Sequence, residues 1–424
     1  MIPGALRAPL LLGFLLGLHL LALGTLLRGG EGGLAAGVVL LTGIPGLLAF
    51  GYLLGRLTRP LSWLDLWVLV YAGWSLTSVV LYAQPANPSR VGAFAYGLYY
   101  FILPILCFFA AKAIPAERRP LLVSGLLLLN AGAILFGLYA YFVRPDYYTA
   151  YLTRMLAQTG AAEEWQFYAR LQSYLGSTSI GYLGATSLIL LTVAGRRVAR
   201  LGPGLAILFV CGAMLSLQRA SFVGLGVALL FLAFLAPQQR VERAAVGVLV
   251  LLGLVALGWQ FAQAGEPLAQ RVVERLTTEM GEGVSAFAED RGYAPGLRYL
   301  ERLPFGVGLG GTASAAENAG LVPLGQVADA NFMRIAADLG GLGLLFFACV
   351  LGTAAGRALP ARHRNAWLAF LVVHCGIMLS TNVQDSFYVS QSFWILLAVL
   401  DGDHPATRAR VHPVPAETQL SGAA

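Results

Sequence analysis

The chain has 424 residues, of which 58% are hydrophobic and only 12% charged. A soluble fold of this length cannot hide so much apolar surface, because most residues of a globule touch water, and the apolar runs recur along the whole chain rather than at one anchor. The net charge of +7, carried by arginines and a single lysine, Lys112, sits mostly between those runs, where it orients a membrane protein. Composition thus excludes a soluble enzyme, a nucleic-acid binder and a disordered protein. Continuous rather than alternating apolar runs argue against a strand barrel. The expected class is an all-α polytopic membrane protein.

Runs of about 20 apolar residues can cross a bilayer as helices. Such runs fall at 8–27, 34–55, 64–83, 91–111, 120–143, 174–194, 201–217, 221–236, 244–263, 331–355, 365–381 and 387–400, about twelve spans. The first, after Arg7, is read as an uncleaved anchor, because no small-x-small cleavage site ends it. Alternate short connections carry Lys and Arg: Arg7, Arg56 and Arg59, Lys112 with Arg118 and Arg119, Arg196 with Arg197 and Arg200, Arg240 and Arg243, Arg357 with Arg362 and Arg364, then Arg408 and Arg410. The short connections on the other side carry only Arg28, Arg90 and Arg219. The positive-inside bias puts both termini in the cytoplasm. Cys107, Cys211, Cys349 and Cys375 all fall within apolar runs and read as small core residues, with no metal-ligand spacing.

This divides the chain into a membrane bundle at 1–263 (spans one to nine, with an outer loop at 144–173), a large extracytoplasmic loop at 264–330, a second bundle segment at 331–400 (spans ten to twelve), and a disordered cytoplasmic tail at 401–424. Loops this long tend to carry function. In the large loop, Leu268, Val272, Leu276 and Met280 recur every four residues, which suits an amphipathic helix. A second short helix is expected to open at Pro295 and stop before Pro304.

The outer arginines are not needed to set topology. Arg170 precedes span six, Arg219 sits in a tight outer turn, and Arg291 and Arg298 lie seven apart in the large loop, with Pro295 between them. Arginine offers phosphates a bidentate, permanently charged fork, so a lipid diphosphate is a natural partner. Taken singly, an ordinary surface role or a lipid-headgroup contact is the plainer reading; Arg219 departs from it because a tight turn at the bundle rim seldom holds an unpartnered charge.

In the segment entering span ten, Asp329 can cap the helix or, facing a cavity, act as a general base. Arg334 and Asp338, four apart, suggest a local ion pair. Gly340, Gly341 and Gly343 suggest close helix packing. The glycines at 306, 308, 310 and 311 follow no strand, which rejects a nucleotide loop. His19 and His374 lie within spans and read as packed polar residues, while Gln384, Asp385 and Tyr388 precede the last span on the outer side. No cofactor or metal is called for.

Four segments together resemble the O-antigen polymerase and O-antigen ligase superfamily of bacterial envelope glycan enzymes: RLQSYLGSTSIGYLG from Arg170, the LSLQRAS turn with Arg219, the LPFGVGLGG stretch, and DANFMRIAADLGGLG from Asp329. They lie within residues 170–345. The resemblance implies a metal-independent, inverting glycosyltransferase in the bacterial inner membrane, with its active site facing the periplasm. Its donor and acceptor would be undecaprenyl-diphosphate-linked glycans, with no nucleic acid involved and a separate chain-length regulator protein as a further partner. Asp329, Arg219 and Arg291 would be catalytic; Arg170, Arg219, Arg291 and Arg298 would bind the diphosphate. Family ligases carry a His-Asn pair at the positions of Asp329 and Ala330. That departure favours a polymerase over a ligase acting on lipid A–core. A lipid-linked glycan transporter or flippase is the reading from another class; it expects midplane sites in repeated halves, whereas the polar candidates here gather on one side.

Overall fold

The computed structural model describes residues 2–27, 34–58, 60–82, 97–159, 171, 173–194, 198, 200–216, 218–232, 293–312, 330–381 and 388–403. In chain order the helices are α1 (Gly4–Leu27), α2 (Leu34–Arg56), α3 (Trp63–Tyr82), a π-helical turn (Leu98–Ile102) running into α4 (Leu103–Lys112), a 3₁₀ turn (Ala116–Arg118), α5 (Arg119–Val143), α6 (Asp146–Thr159), α7 (Ser177–Leu190), α8 (Gly202–Leu215), α9 (Arg219–Leu230), α10 (Tyr293–Arg302), α11 (Asn331–Ala358), α12 (Arg364–Ser380) and α13 (Val389–Asp403). There is no strand among the described residues. Helices are the outcome that such apolar stretches dictate, because a backbone out of water must satisfy its own polar groups within the segment.

Local signals set several ends. Pro104, Pro120 and Pro203 sit in the first turns of α4, α5 and α8, where a missing N–H costs nothing. α5 ends on Arg144 in the left-handed region, its N–H bonded to Ala140 O, a helix stop of the αL type.

Three helices among the described residues are long and apolar enough to cross a membrane: Gly4–Leu27, the stretch Ala116–Val143 and Asn331–Ala358. On α5 the exposed residues Leu121, Leu128, Leu135 and Phe142 recur every seven, which is every two turns, so they form one apolar stripe along the outer face. Such a stripe, about 30 Å long at 1.5 Å per residue, suits hydrocarbon rather than water. The opposite face of α5 is buried through Leu122, Leu126, Ala133 and Ile134.

The interior is knitted by rings and by glycines. Tyr71 of α3 stacks on Trp394 of α13, with centroids 6.1 Å apart, and meets Phe347 of α11 at 5.4 Å; Phe108 of α4 meets the same tryptophan edge-on. α7 lies tight against α8: a Cβ at Gly184 would stand 2.6 Å from Phe209 O and 2.8 Å from Ala213 N. The absent side chain lets the two backbones approach.

Three sequence expectations change. Only Cys107 is buried; Cys211, Cys349 and Cys375 are half-buried on helix flanks. α13 runs on through Asp403, so the first three residues of the expected tail are helical, and Asp401 and Asp403 are buried. Lys112 is no solvated loop charge. It is buried between Asp65 Oδ1, at 3.0 Å, and Asp401 Oδ2, while Arg357 reaches the other oxygen of Asp401 at 3.3 Å. Arg119 is also buried, donating to the carbonyls of Lys112, Ile114 and Ala398. The expected span at 244–263, the amphipathic helix around Leu276 and most of the 401–424 tail lie outside the described residues.

Candidate functional site

The four segments behind the family resemblance assemble as two contacting pairs. In the first, Leu171 N–H donates to Leu215 O at 2.7 Å, joining the chain ahead of α7 to the end of α8. Gly181 of α7 faces the LSLQRAS turn so closely that a Cβ there would fall 2.5 Å from Ser216 Oγ.

The second pair joins the LPFGVGLGG loop to α11. Gly340 breaks α11, with φ 72° and ψ −174°. The loop enters at that break. Val307 N–H donates to Ala337 O and Gly308 N–H to Asp338 O, both at 2.9 Å, while Gly341 N–H donates to Pro304 O at 2.8 Å. The carbonyls that the break releases are thus answered by the loop, as buried backbone groups require. Leu339 O takes Trp74 Nε1–H of α3 at 2.8 Å. Farther along the loop, Leu309 packs onto Gly97 at the entry to the π turn. The expectation that Gly340, Gly341 and Gly343 serve packing between helices is corrected here. Gly340 admits a loop, a Cβ on Gly341 would meet nothing nearer than 3.8 Å, and one on Gly343 would strike Leu339 of its own helix.

Asp338 is fully buried and anchors this crossing. Its Oδ1 accepts from Thr312 N at 2.7 Å and from Thr312 Oγ at 2.6 Å. Its Oδ2 faces Arg334 Nε at 3.8 Å. The local pair anticipated from spacing therefore exists, extended by a threonine 26 residues earlier.

Both pairs sit at one end of the bundle. α9 packs along α12 with Gly224 against Val373 and Ile377, and the last turn of α12 offers Leu379 O to the Tyr293 hydroxyl of α10. The start of α9, the end of α12, α10 and the broken start of α11 therefore share that end. The Lys112 cluster marks the opposite end, where Arg357 and Asp401 close α11 and α13. Beside the first pair, α6 rests on α1 through Tyr148 and Leu152, and burial pushes the Tyr151 phenol above its ordinary value.

Of the residues singled out from sequence, Arg298 lies exposed on α10, one position before the fully buried Tyr299. α10 itself opens at Tyr293, two residues ahead of the expected Pro295 start. Arg219 is the first residue of α9, and its side chain lies outside what is described. Arg170, Arg291, Asp329, Gln384 and Asp385 lie outside the described residues. Ala330, in extended conformation, is the residue that precedes α11.

Sequence reasoning missed an interior polar array. His19 Nδ1 shares a hydrogen bond with Tyr174 OH at 2.8 Å, and its ring lies 4.1 Å from that of Tyr388. Tyr388 OH donates to Asn130 Oδ1 at 3.0 Å, and Asn130 Nδ2 donates to Ser187 Oγ at 2.8 Å. His374 pairs with Tyr182 OH at 2.8 Å and stacks on Phe393 at 3.6 Å. Both histidines are packed polar residues, as expected, but their partners are up to 192 residues distant in sequence. Nothing short of a contact map announces those pairings.

Compared with known proteins, the chain matches no family model and no curated sequence.

Proposed function

We propose that the protein is a membrane glycosyltransferase of about twelve spans that polymerises undecaprenyl-diphosphate-linked glycan repeat units on the outer leaflet of the bacterial inner membrane. The observation that carries this reading is the pairwise assembly of the four resembling segments at one end of a lipid-suited helical bundle. Segments spread over residues 170–345 in the chain meet pairwise at that end, which supports a shared role.

In this reading an acceptor hydroxyl attacks the anomeric carbon of the donor, the glycosidic bond forms with inversion, and the polyprenyl diphosphate leaves with the bonding electrons. Arg219 and Arg291, helped by Arg170 and Arg298, neutralise the departing diphosphate. Fixed cations aimed at developing charge are a large catalytic contribution. Asp329 accepts the proton of the acceptor hydroxyl. The lipid-facing bundle gives the polyprenyl tail an apolar surface to lie against.

The test is a transfer assay with purified protein in defined membranes, given the lipid-linked repeat unit with and without lipid A–core. A product ladder on the polyprenyl lipid alone is the expected result. Product only when lipid A–core is present makes the protein a ligase. Absence of product under both conditions overturns the glycosyltransferase reading.

A further inference from the structure

Tyr388 is the residue that leads into α13, and it is held in an unusual way. Its φ of 74° lies in the left-handed region, which a bulky side chain adopts only where its surroundings over-determine it. The side chain is fully buried. Three attachments fix it. Its hydroxyl donates to Asn130 Oδ1 of α5 at 3.0 Å; its ring stands edge-on to His19 of α1 at 4.1 Å; its carbonyl accepts from Ser392 N at 3.0 Å and from Ser392 Oγ at 2.9 Å.

His19 in turn holds Tyr174. That tyrosine belongs to the turn preceding α7, which is seated by the bond from Leu171 to Leu215 and by Ser173 lying over Gly137 of α5. One buried array thus ties together the entry to α13 and the first of the four resembling segments. Among the described residues its hydrogen bonds form no continuous proton path: the amide of Asn130 stands between Tyr388 and Ser187, and His19 meets the ring of Tyr388 rather than its hydroxyl. What these contacts do fix is geometry.

We propose that Tyr388, fixed by Asn130 and His19, is a positioning residue for glycan transfer, setting from inside the bundle the relative placement of the α13 entry and the Tyr174 turn at the candidate site. The inference rests on the glycosyltransferase reading above. A displacement near 1 Å of a positioning element can cost up to about a hundredfold in rate, so loss of one of three attachments is expected to fall below that.

The experiment compares full-length wild type, Tyr388→Phe, Asn130→Leu and the double variant in the lipid-linked transfer assay, with thermal unfolding in detergent measured on each. Tyr388→Phe keeps the ring and removes only the hydroxyl. The expected result is about a tenfold fall in kcat for Tyr388→Phe, with KM near wild type and the unfolding midpoint lowered only as far as one lost buried hydrogen bond requires; Asn130→Leu, which also removes the bond to Ser187, should slow transfer at least as much. The double variant should be no slower than Asn130→Leu, because both changes remove the Tyr388–Asn130 bond. His19→Gln, which cannot supply the ring contact, should also lower kcat. Tyr388→Phe with wild-type kcat overturns the inference, and so does a double variant whose losses multiply, or a loss of rate that merely follows a loss of folded protein. If wild type itself makes no product, the function fails and this inference with it. If wild type transfers and Tyr388→Phe is unaffected, the inference fails alone.

Discussion

Gly306 and Gly340 cross backbone against backbone. Both have positive φ, 83° and 72°, and a Cβ on Gly306 would stand 2.5 Å from Gly340 N. The crossing is what lets the loop after α10 plug the break in α11. Neither position tolerates a side chain, for two separate reasons: the dihedral angles and the lack of room.

Gly340→Ala should therefore destabilise the protein by about 1–3 kcal/mol from backbone strain alone, with the steric clash against Pro304 and Phe305 added. Gly352→Ala, on the same helix with open space around it, is the control and should be neutral or slightly stabilising. Thermal unfolding in detergent checks both. Equal midpoints for the two variants would show that the crossing contributes nothing.

Asp338 is buried with Arg334 on one side and Thr312 on the other. Asp338→Ala leaves a cation in the interior without this carboxylate, a situation that typically costs about 3–5 kcal/mol. Replacing both residues, Asp338→Leu with Arg334→Met, should recover part of that loss, because the unbalanced charge is gone while Thr312 N–H and Oγ–H still lose their acceptor. A double variant as unstable as the single one would contradict the pairing.

At the opposite end, Lys112→Met removes the cation between Asp65 and Asp401. Asp401 keeps Arg357, while the hydrogen-bond donors left to Asp65 among the described residues are neutral, the Tyr52 hydroxyl at 2.9 Å and Ser62 N–H, with Arg119 acting on it through space. The expected loss is again about 3–5 kcal/mol, and adding Asp65→Asn to Lys112→Met should restore part of it. Chemical denaturation of the three proteins reads the order directly.

Arg219→Ala and Arg291→Ala should each slow transfer roughly a hundredfold, about 3 kcal/mol of barrier, while the protein still inserts and folds. Arg298→Ala should matter less, since Arg298 has the supporting role in the proposed site and Arg219 and Arg291 the principal one. Full activity in both Arg219→Ala and Arg291→Ala would remove their assigned roles.

Much of the fold was legible in the chain. Helices stand at eleven of the twelve anticipated positions among the described residues, because continuous apolar runs leave the backbone no other way to satisfy itself. Arg334 with Asp338 was legible too, since four residues on a helix always make neighbours. The partners of Lys112 were not. A lone lysine after an apolar run reads as topology, and nothing local says that Asp65 and Asp401 close over it. Of the candidate site, the residue types and their order along the chain could be read, but not which segments touch.

The sequence by itself determined the helical character of the described residues, the presence of helices long and apolar enough to cross a membrane, the approximate helix positions and the chemistry on offer, because apolar length and charge placement act locally. Tertiary structure alone decided that a loop enters α11 at Gly340, that Thr312 completes Asp338, and that Tyr388, His19 and Asn130 meet. Those outcomes depend on which surfaces pack together. Long-range contacts are chosen by shape and by the need to pair every buried polar group, and neither leaves a periodic trace in the chain.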